Sequence, residues 1–147
     1  MDDSTQRIEL RPTNDFASMV KLGREAGLEI EQLGPTLAAY GLFDKDRLVG
    51  CACLKERAGV FLIECLAVSE DLRGIGLGTR LVRAVEADAR GRGAKSLHAL
   101  ARSPDFFLRV GYRLANPAET EYPSTTSCEG CPQFRKSCSP AVVVRDL

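Results

Sequence analysis

The sequence predicts one α/β domain spanning residues 1–147, in which helices flank a mixed β-sheet of about six or seven strands. Three successive segments near the middle of the chain carry this prediction. Val60–Val68 is an apolar run with the length and composition of a buried strand. Apolar residues then recur at helical spacing from Leu77 to Arg90, and Ser96–Leu100 is a second strand-like run. A strand, helix and strand joined in this way predict a parallel pair at the centre of the sheet.

The flanking segments predict the remaining elements of the sheet and its helices. Leu37–Phe43 and Leu48–Leu54 are two strands on either side of a polar turn, so they form an antiparallel hairpin. Arg7–Arg11 alternates polar and apolar residues and predicts a first strand, and Asn14 after it is a candidate helix cap. Further predictions are a helix through Phe16–Leu22, a short helix near Glu29–Leu33, a helix with Ser103 as its cap, and strands beginning at Tyr112 and Ala141.

The composition limits the classes of partner and the compartment. The chain has 20 Lys and Arg residues and 20 Asp and Glu residues, whereas proteins that bind nucleic acids or membrane surfaces usually carry a basic excess. No apolar stretch reaches the roughly 18 residues that a membrane span needs. Cys51, Cys53 and Cys65 lie inside apolar runs, as expected of small core residues in a reducing cytoplasm. We therefore expect a cytoplasmic protein without nucleic-acid or membrane partners.

A glycine-rich turn, Leu72–Thr79, joins the central strand to the following helix. Glycines without a Cβ let the backbone approach a ligand closely, and the amides at a helix N-terminus lack partners and attract anions. The dinucleotide fingerprint would require glycine at Thr79, and the Gly-Lys-Ser/Thr of a P-loop is absent from this turn. The turn therefore predicts a phosphate or pyrophosphate site, with an unliganded strand-to-helix turn as the alternative.

The spacing Arg73-x-x-Gly76-x-Gly78 resembles the pyrophosphate-binding motif of the GNAT superfamily of acyl-CoA N-acyltransferases. The resemblance extends through Ile63–Arg73, which is similar to the family's fourth strand and turn, and through Phe106–Tyr112. It implies a GNAT fold in which two parallel strands splay apart and hold acetyl-CoA. The residues that it implies in coenzyme binding are Leu66, Ala67, Val68, Arg73, Gly74, Ile75, Gly76, Leu77, Gly78, Thr79 and Phe107.

The resemblance also implies an enzyme, an acetyl-CoA-dependent N-acetyltransferase acting on the amine of a small molecule, for example an amino acid such as glutamate. Glu64 is then the candidate general base, because it is the single acid in an apolar strand and many family members have Glu there. Strand alternation predicts that Glu64, Leu66 and Val68 share one face. The alternatives for Glu64 are that it is a half-exposed strand residue on the sheet face or that an arginine satisfies it. His98, the only histidine, is a weaker catalytic candidate.

The chain departs from the family pattern where Phe107 replaces a tyrosine that protonates the leaving thiolate in many members. The segment after it is similar to stand-alone GNAT proteins of the N-acetylglutamate synthase type and to small arsenic-resistance-associated N-acetyltransferases. That segment includes a loop, residues 122–139, with Cys128, Cys131 and Cys138. Three thiols fall one short of the four ligands of a structural zinc, so we expect no metal, with zinc at these thiols as the alternative.

Two other functions and several acceptor-binding residues are left open by the sequence. A GNAT fold that binds acyl-CoA as a sensor without turnover is one alternative, and an enzyme that acetylates a peptide or protein amine is the other. A homodimer is also compatible with the sequence. The cations available for an amino acid's carboxylates are Arg7, Arg11, Arg24, Arg102, Arg109 and Arg113.

Overall fold

The structure of the protein is a computed structural model that describes residues 7–28, 35–101, 104–115 and 141–147. The strands within these residues are β1 (Ile8–Pro12), β2 (Ala38–Asp44), β3 (Arg47–Arg57), β4 (Val60–Val68), β5 (Ser96–Ala101), β6 (Arg113–Leu114) and β7 (Ala141–Asp146). The α-helices are α1 (Phe16–Glu25), α2 (Leu77–Gly91) and α3 (Asp105–Arg109). The predicted mixed sheet flanked by helices is confirmed.

All seven strands form one sheet in the order β1-β2-β3-β4-β5-β7-β6. The β4–β5 pair is parallel, as predicted, and the other neighbouring pairs are antiparallel. Leu62 and His98 are the one registered pair between β4 and β5, although β4 continues to Val68. The carboxyl-terminal half of β4 is therefore paired with β3 on one side only, within the continuously described residues 35–101. This is the separation of central strands that a GNAT fold implies.

Helices cover both faces of the sheet. We call the side on which α2 packs the α2 face, and its cluster contains Leu81, Val82, Val85 and Ala89, all at the predicted helical spacing. We call the opposite side, under α1, the α1 face. Its smaller cluster contains Met19, Leu22, Ala39, Cys51, Cys53 and Ala67. The predicted core role of Cys51 and Cys53 is confirmed, since both are fully buried.

A β-bulge in β4 reverses the predicted side-chain alternation. Cys53 is opposite Glu64 and Cys51 is opposite Ala67, so the register shifts between them. Cys65 occupies the extra position with a φ of 55°, in the left-handed region that non-glycine residues rarely adopt. Leu66 and Val68 consequently pack on the α2 face, whereas Glu64 shares the α1 face with Cys53. The prediction that Glu64, Leu66 and Val68 share one face is wrong.

The helix termini also differ in detail from the sequence predictions. Asp15, not Asn14, caps α1, because its Oδ1 accepts a hydrogen bond from the Ser18 amide at 3.2 Å. Pro104 precedes the first residue of α3, and the predicted cap Ser103 lies outside the described residues. The predicted helix at Glu29–Leu33 and the loop at residues 122–139 lie outside them as well. No helix in the described part of the chain is long and apolar enough to span a membrane.

A buried carboxylate ties α2 to the far edge of the sheet. Glu86 is 1% exposed and accepts hydrogen bonds from Tyr112 Oη at 2.7 Å, from Arg145 at 2.8 Å and from Arg83 at 2.9 Å. Burial and the Glu86 hydrogen bond raise the pKa of Tyr112, which keeps its hydroxyl a donor. Arg83 also donates to the carbonyl of Val110 at 2.7 Å. The network fixes the end of α3 against α2.

Candidate active site

A groove of about 450 Å³ lies where β4, the glycine-rich turn and α3 meet, and we call it the glycine-loop groove. Its lining residues are Leu66, Ala67, Val68, Leu72, Arg73, Gly74, Gly76, Leu77, Gly78, Phe106 and Arg109. Most of the residues that the sequence singled out for coenzyme contact are thus brought together. The sequence analysis does not predict that Phe106 and Leu72 contact the coenzyme, although Phe106 begins the segment Phe106–Tyr112 that resembles the GNAT family.

The N-terminus of α2 opens into this groove. The first hydrogen bond of the helix is donated by Arg80 to the carbonyl of Gly76 at 3.2 Å. The amides of Leu77, Gly78 and Thr79 therefore have no acceptor within the helix. Among the described residues no side chain caps this end, and the first turn of the helix contains no acidic residue. Unpaired amides and the positive end of a helix dipole favour an anion, and a phosphate group suits this geometry.

Backbone conformation explains the glycine at the start of the helix. Gly76 is the N-cap of α2 with a φ of 86°, a left-handed conformation that side chains disfavour. A Cβ added there would meet no atom within 4 Å, so a longer side chain would extend into open space beside the groove. Glycine is therefore favoured at Gly76 because another residue would strain the backbone and because a side chain could hinder a ligand in the groove. Packing within the protein does not require it.

Two arginines contribute positive charge to the glycine-loop groove. Arg73 Nε donates to the Val68 carbonyl at 3.1 Å, which ties the turn to the end of β4. Arg109, one of the predicted candidate cations, lies at the end of α3 and is exposed. A guanidinium group is well suited to phosphate oxygens because it presents several N–H donors in one plane.

Three of the predicted coenzyme residues are not among the lining residues of the groove. Ile75 is 41% exposed, and Thr79 is half-buried in the first turn of α2. Phe107 is 8% exposed and packs in the core, with its ring centroid 5.3 Å from that of Phe106 and 5.2 Å from that of Tyr112. Phe106 therefore stands at the groove where the sequence had suggested Phe107.

Glu64 is held by two cations on the α1 face. Its carboxylate lies 3.0 Å from Lys55 Nζ and 3.7 Å from an Arg57 nitrogen. The Lys55 side chain is 5% exposed and that of Glu64 is 24% exposed, so this ion pair is largely shielded from solvent. Glu64 is not among the residues that line the glycine-loop groove. Pairing with an arginine is one of the two alternatives that the sequence offers for Glu64, whereas the sequence analysis does not predict Lys55 as a partner.

Three thiols lie beside the bulge of β4. Cys51 Sγ is 4.0 Å from Cys65 Sγ and 3.4 Å from the Cys65 carbonyl oxygen, and Cys53 Sγ is 3.4 Å from the Glu64 carbonyl oxygen. A hydrogen bond from the Cys51 thiol lowers the pKa of Cys65. The same hydrogen bond and burial raise the pKa of Cys51, and burial raises that of Cys53 to about 12. Cys65, which is half-buried, is the thiol that ionises most readily of these.

A second cavity, of about 520 Å³, lies between the end of α1 and the turn after β4. It shares Val68 and Arg73 with the glycine-loop groove. Its other lining residues are Leu22, Glu25, Ala26, Arg47, Ser69, Glu70 and Asp71. The two cavities therefore adjoin at the end of β4.

The remaining candidates are distributed over the molecule. His98 stands in β5 opposite Leu62, and Arg11 stacks on the Phe43 ring at 4.1 Å near the β1 edge. Arg113 pairs with Asp146 at 3.7 Å. Arg102, Cys128, Cys131 and Cys138 lie outside the described residues. Among the described residues no group of His, Cys, Asp or Glu side chains is arranged to hold a metal ion.

Comparison with known proteins identifies the family. The sequence model of the "Acetyltransferase (GNAT) family" matches residues 7–112, which include α1, β4, the glycine-rich turn and α3. The chain belongs to the GNAT acetyltransferase family. The resemblance noted from Arg73, Gly76 and Gly78 is thereby confirmed, and so is the fold that it implied.

Several proteins that resemble this chain are named amino-acid acetyltransferases. An amino-acid acetyltransferase of Shewanella oneidensis is 36% identical over 123 residues, covering 75% of this chain and 27% of that protein. A second, from Mannheimia succiniciproducens, is 29% identical over 125 residues, covering 78% and 28%. The structure of N-acetylglutamate synthase from Neisseria gonorrhoeae, complexed with coenzyme A and N-acetyl-glutamate, superimposes with a TM-score of 0.74 and 27% identity over 95% of this chain. This chain spans only 35% of that structure, and less than a third of the two curated relatives.

Proposed function

We propose that the protein is an acetyl-CoA-dependent N-acetyltransferase that acts on the amine of a small molecule, an amino acid such as glutamate being the leading candidate. The observation that carries the proposal is the glycine-loop groove, in which the N-terminus of α2, uncapped by the described residues, meets the part of β4 that has no partner on its β5 side. Support comes from family membership and from a similar structure that contains coenzyme A. The names of the similar amino-acid acetyltransferases support the choice of acceptor.

In this proposal the coenzyme's pyrophosphate binds the free amides of Leu77, Gly78 and Thr79, with Arg73 and Arg109 near its charges. The pantetheine arm lies along Leu66–Val68, where β4 is paired with β3 but has no registered partner on its β5 side, and uses the backbone groups of β4. Phe106 forms an apolar wall beside Gly78, because a Cβ at Gly78 would come within 3.2 Å of its ring. The arm would therefore place the thioester near the bulge at Cys65.

The reaction joins the acceptor nitrogen to the acetyl carbonyl carbon and releases the coenzyme as a thiolate. An α-amino group with a pKa near 8 must first lose a proton, which costs on the order of 1 kcal/mol at neutral pH and more for a lysine. We propose Glu64 as the acceptor of that proton, through a water molecule, because Lys55 and Arg57 already hold its carboxylate. A backbone amide of Leu66–Val68 stabilises the developing oxyanion.

An acceptor screen tests the proposed function. Purified protein and acetyl-CoA are mixed with amino acids, other small amines and short peptides, and release of the coenzyme thiol is followed against the hydrolysis background. We expect turnover with one or more amino acids. If the protein binds the coenzyme but turns over none of the amines in the library, the proposal that it is an enzyme would be refuted in favour of a sensor module. If peptides outcompete free amino acids as acceptors, the proposal that the acceptor is a small molecule would be refuted.

A further inference from the structure

We infer that Cys51 and Cys65 form a reversible disulfide when the protein meets a peroxide, and that this covalent modification alters the β4 wall of the glycine-loop groove. The two sulfur atoms lie 4.0 Å apart on neighbouring strands. A disulfide requires about 2 Å between the sulfurs, so they must approach by about 2 Å. The bulge in β4 already interrupts the regular pairing with β3 at this point, so the movement can be confined to one residue without breaking the other hydrogen bonds between the two strands.

The two thiols have the unequal properties that such a reaction needs. Cys65 is half-buried and therefore reachable, whereas Cys51 is fully buried beneath α1. The hydrogen bond from Cys51 lowers the pKa of Cys65, which increases the fraction of the reactive thiolate. Burial and the Glu64 carboxylate raise the pKa of Cys65, but the Cys51 hydrogen bond and the charge of Lys55 outweigh them. Cys65 is thus the thiol that peroxide oxidises first, and Cys51 is the resolving thiol.

The oxidation balances with one peroxide. The Cys65 thiolate attacks one oxygen of hydrogen peroxide, the O–O bond breaks, and a sulfenic acid and hydroxide form. The Cys51 sulfur then attacks the Cys65 sulfur, displaces its hydroxyl group and loses its own proton, so the step yields the disulfide and water. Two thiols lose two electrons and two protons in total, and the peroxide becomes two waters. A dithiol reductant reverses the change.

The position of Cys65 connects this chemistry to the groove. Cys65 immediately precedes Leu66 and Ala67, which line the glycine-loop groove. Its backbone has the left-handed φ of 55°, so this segment already holds a conformation that its neighbours enforce. Movement of the Cys65 sulfur toward β3 will therefore displace the backbone at Leu66. The expected consequence, which rests on the proposed function, is weaker acetyl-CoA binding in the oxidised protein.

Peptide mapping of the full chain tests the disulfide without reference to any activity. The protein is treated with hydrogen peroxide, its remaining thiols are alkylated, and it is digested with trypsin. We expect peptide 48–55, which contains Cys51 and Cys53, to be linked to peptide 58–73, which contains Cys65. The link should persist in the matched control C53A and disappear in C51A and C65A. Cys65 that stays reduced, or that joins Cys53 or a cysteine of residues 122–139, would overturn the inference.

Melting of the wild-type protein with and without acetyl-CoA tests the effect on the groove. A tenfold loss of affinity on oxidation corresponds to about 1.4 kcal/mol less stabilisation by the ligand, and the dithiol reductant should restore it. An equal ligand shift in the mapped oxidised and reduced forms would refute the link to the groove. No ligand shift in the reduced protein would count against the proposed coenzyme instead, and the mapping result would stand.

Discussion

Replacing Gly76 by leucine should separate ligand binding from folding, because the side chain would stand beside the free amides of α2. Gly76 has a φ of 86°, and a left-handed leucine costs roughly 1–2 kcal/mol of stability. Gly59, in the β3–β4 turn, offers a matched control, since its φ is 81° and an added Cβ also meets no atom within 4 Å. G76L and G59L should therefore lose similar stability, roughly 3–8 °C in Tm for a domain of this size.

Only G76L should lose the stabilisation by acetyl-CoA. At a coenzyme concentration about 100 times the Kd, wild-type protein and G59L should gain about 2.7 kcal/mol. If the leucine weakens binding by about 100-fold, the gain in G76L falls to about 0.4 kcal/mol under the same linkage relation. Thermal melting with and without the coenzyme measures both quantities. A wild-type ligand shift in G76L would refute the α2 N-terminus as the pyrophosphate site. An equal loss in G59L would show that the loss in G76L comes from a general disturbance of the fold, and the assignment of the site would lose this support.

Three further substitutions test the buried network, the acid dependence and the proposed base. E86Q should lower the free energy of unfolding in urea by about 3 kcal/mol, because it leaves buried donors without their anion. The control is D146N, which breaks an ion pair at the surface and should change the free energy of unfolding by less than about 1 kcal/mol. Burial raises the pKa of Asp88, but hydrogen bonds from Tyr40 and Arg92 outweigh it and the net pKa lies below 3.8. Wild-type protein should therefore lose stability as the pH falls below about 3.8, and urea titrations at pH 6 and pH 3 should show a smaller loss in D88N. E64Q should lower kcat by roughly 10²–10⁴-fold at pH 7, and the loss should be smaller at high pH. The increase in Tm that acetyl-CoA causes should be unchanged in this variant. A wild-type kcat in E64Q at pH 7 would exclude Glu64 as the base.

The periodic elements could be predicted from the sequence because their signals are local. The β4 run and the α2 pattern beginning at Leu77 lie where the apolar periodicity placed them, since burial alone sets that periodicity. The α1 cap was misplaced by one residue because Asn14 and Asp15 both carry a side-chain acceptor, and only the backbone conformation selects Asp15. The bulge at Cys65 had no such signal, since no glycine or proline marks it.

The ion pair of Glu64 could have been predicted by counting across the β3–β4 hairpin. The Ala58–Gly59 turn sets Arg57 opposite Val60 and so sets Lys55 opposite Leu62. Glu64 is then the next residue after Leu62 on the same face, which places it diagonally beside Lys55. The exposed fractions of the Lys55 and Glu64 side chains could not be predicted by such counting, because they depend on how α1 covers the sheet.

The bulge has a consequence for the proposed mechanism. Leu66 and Val68 pack on the α2 face while Glu64 projects from the α1 face, so these two groove residues and the proposed base lie on opposite sides of one strand. Ala67, which also lines the groove, lies on the α1 face with Glu64. A carboxylate on the α1 face can act on the thioester only where β4 has no partner on its β5 side, which is the stretch beyond the Leu62–His98 pair. An amine arriving from the α1 face would meet Glu64 already bound to Lys55 and Arg57. A water molecule can connect two polar groups that are too far apart for a direct hydrogen bond. The arrangement therefore favours a water-mediated proton transfer across the gap between β4 and β5.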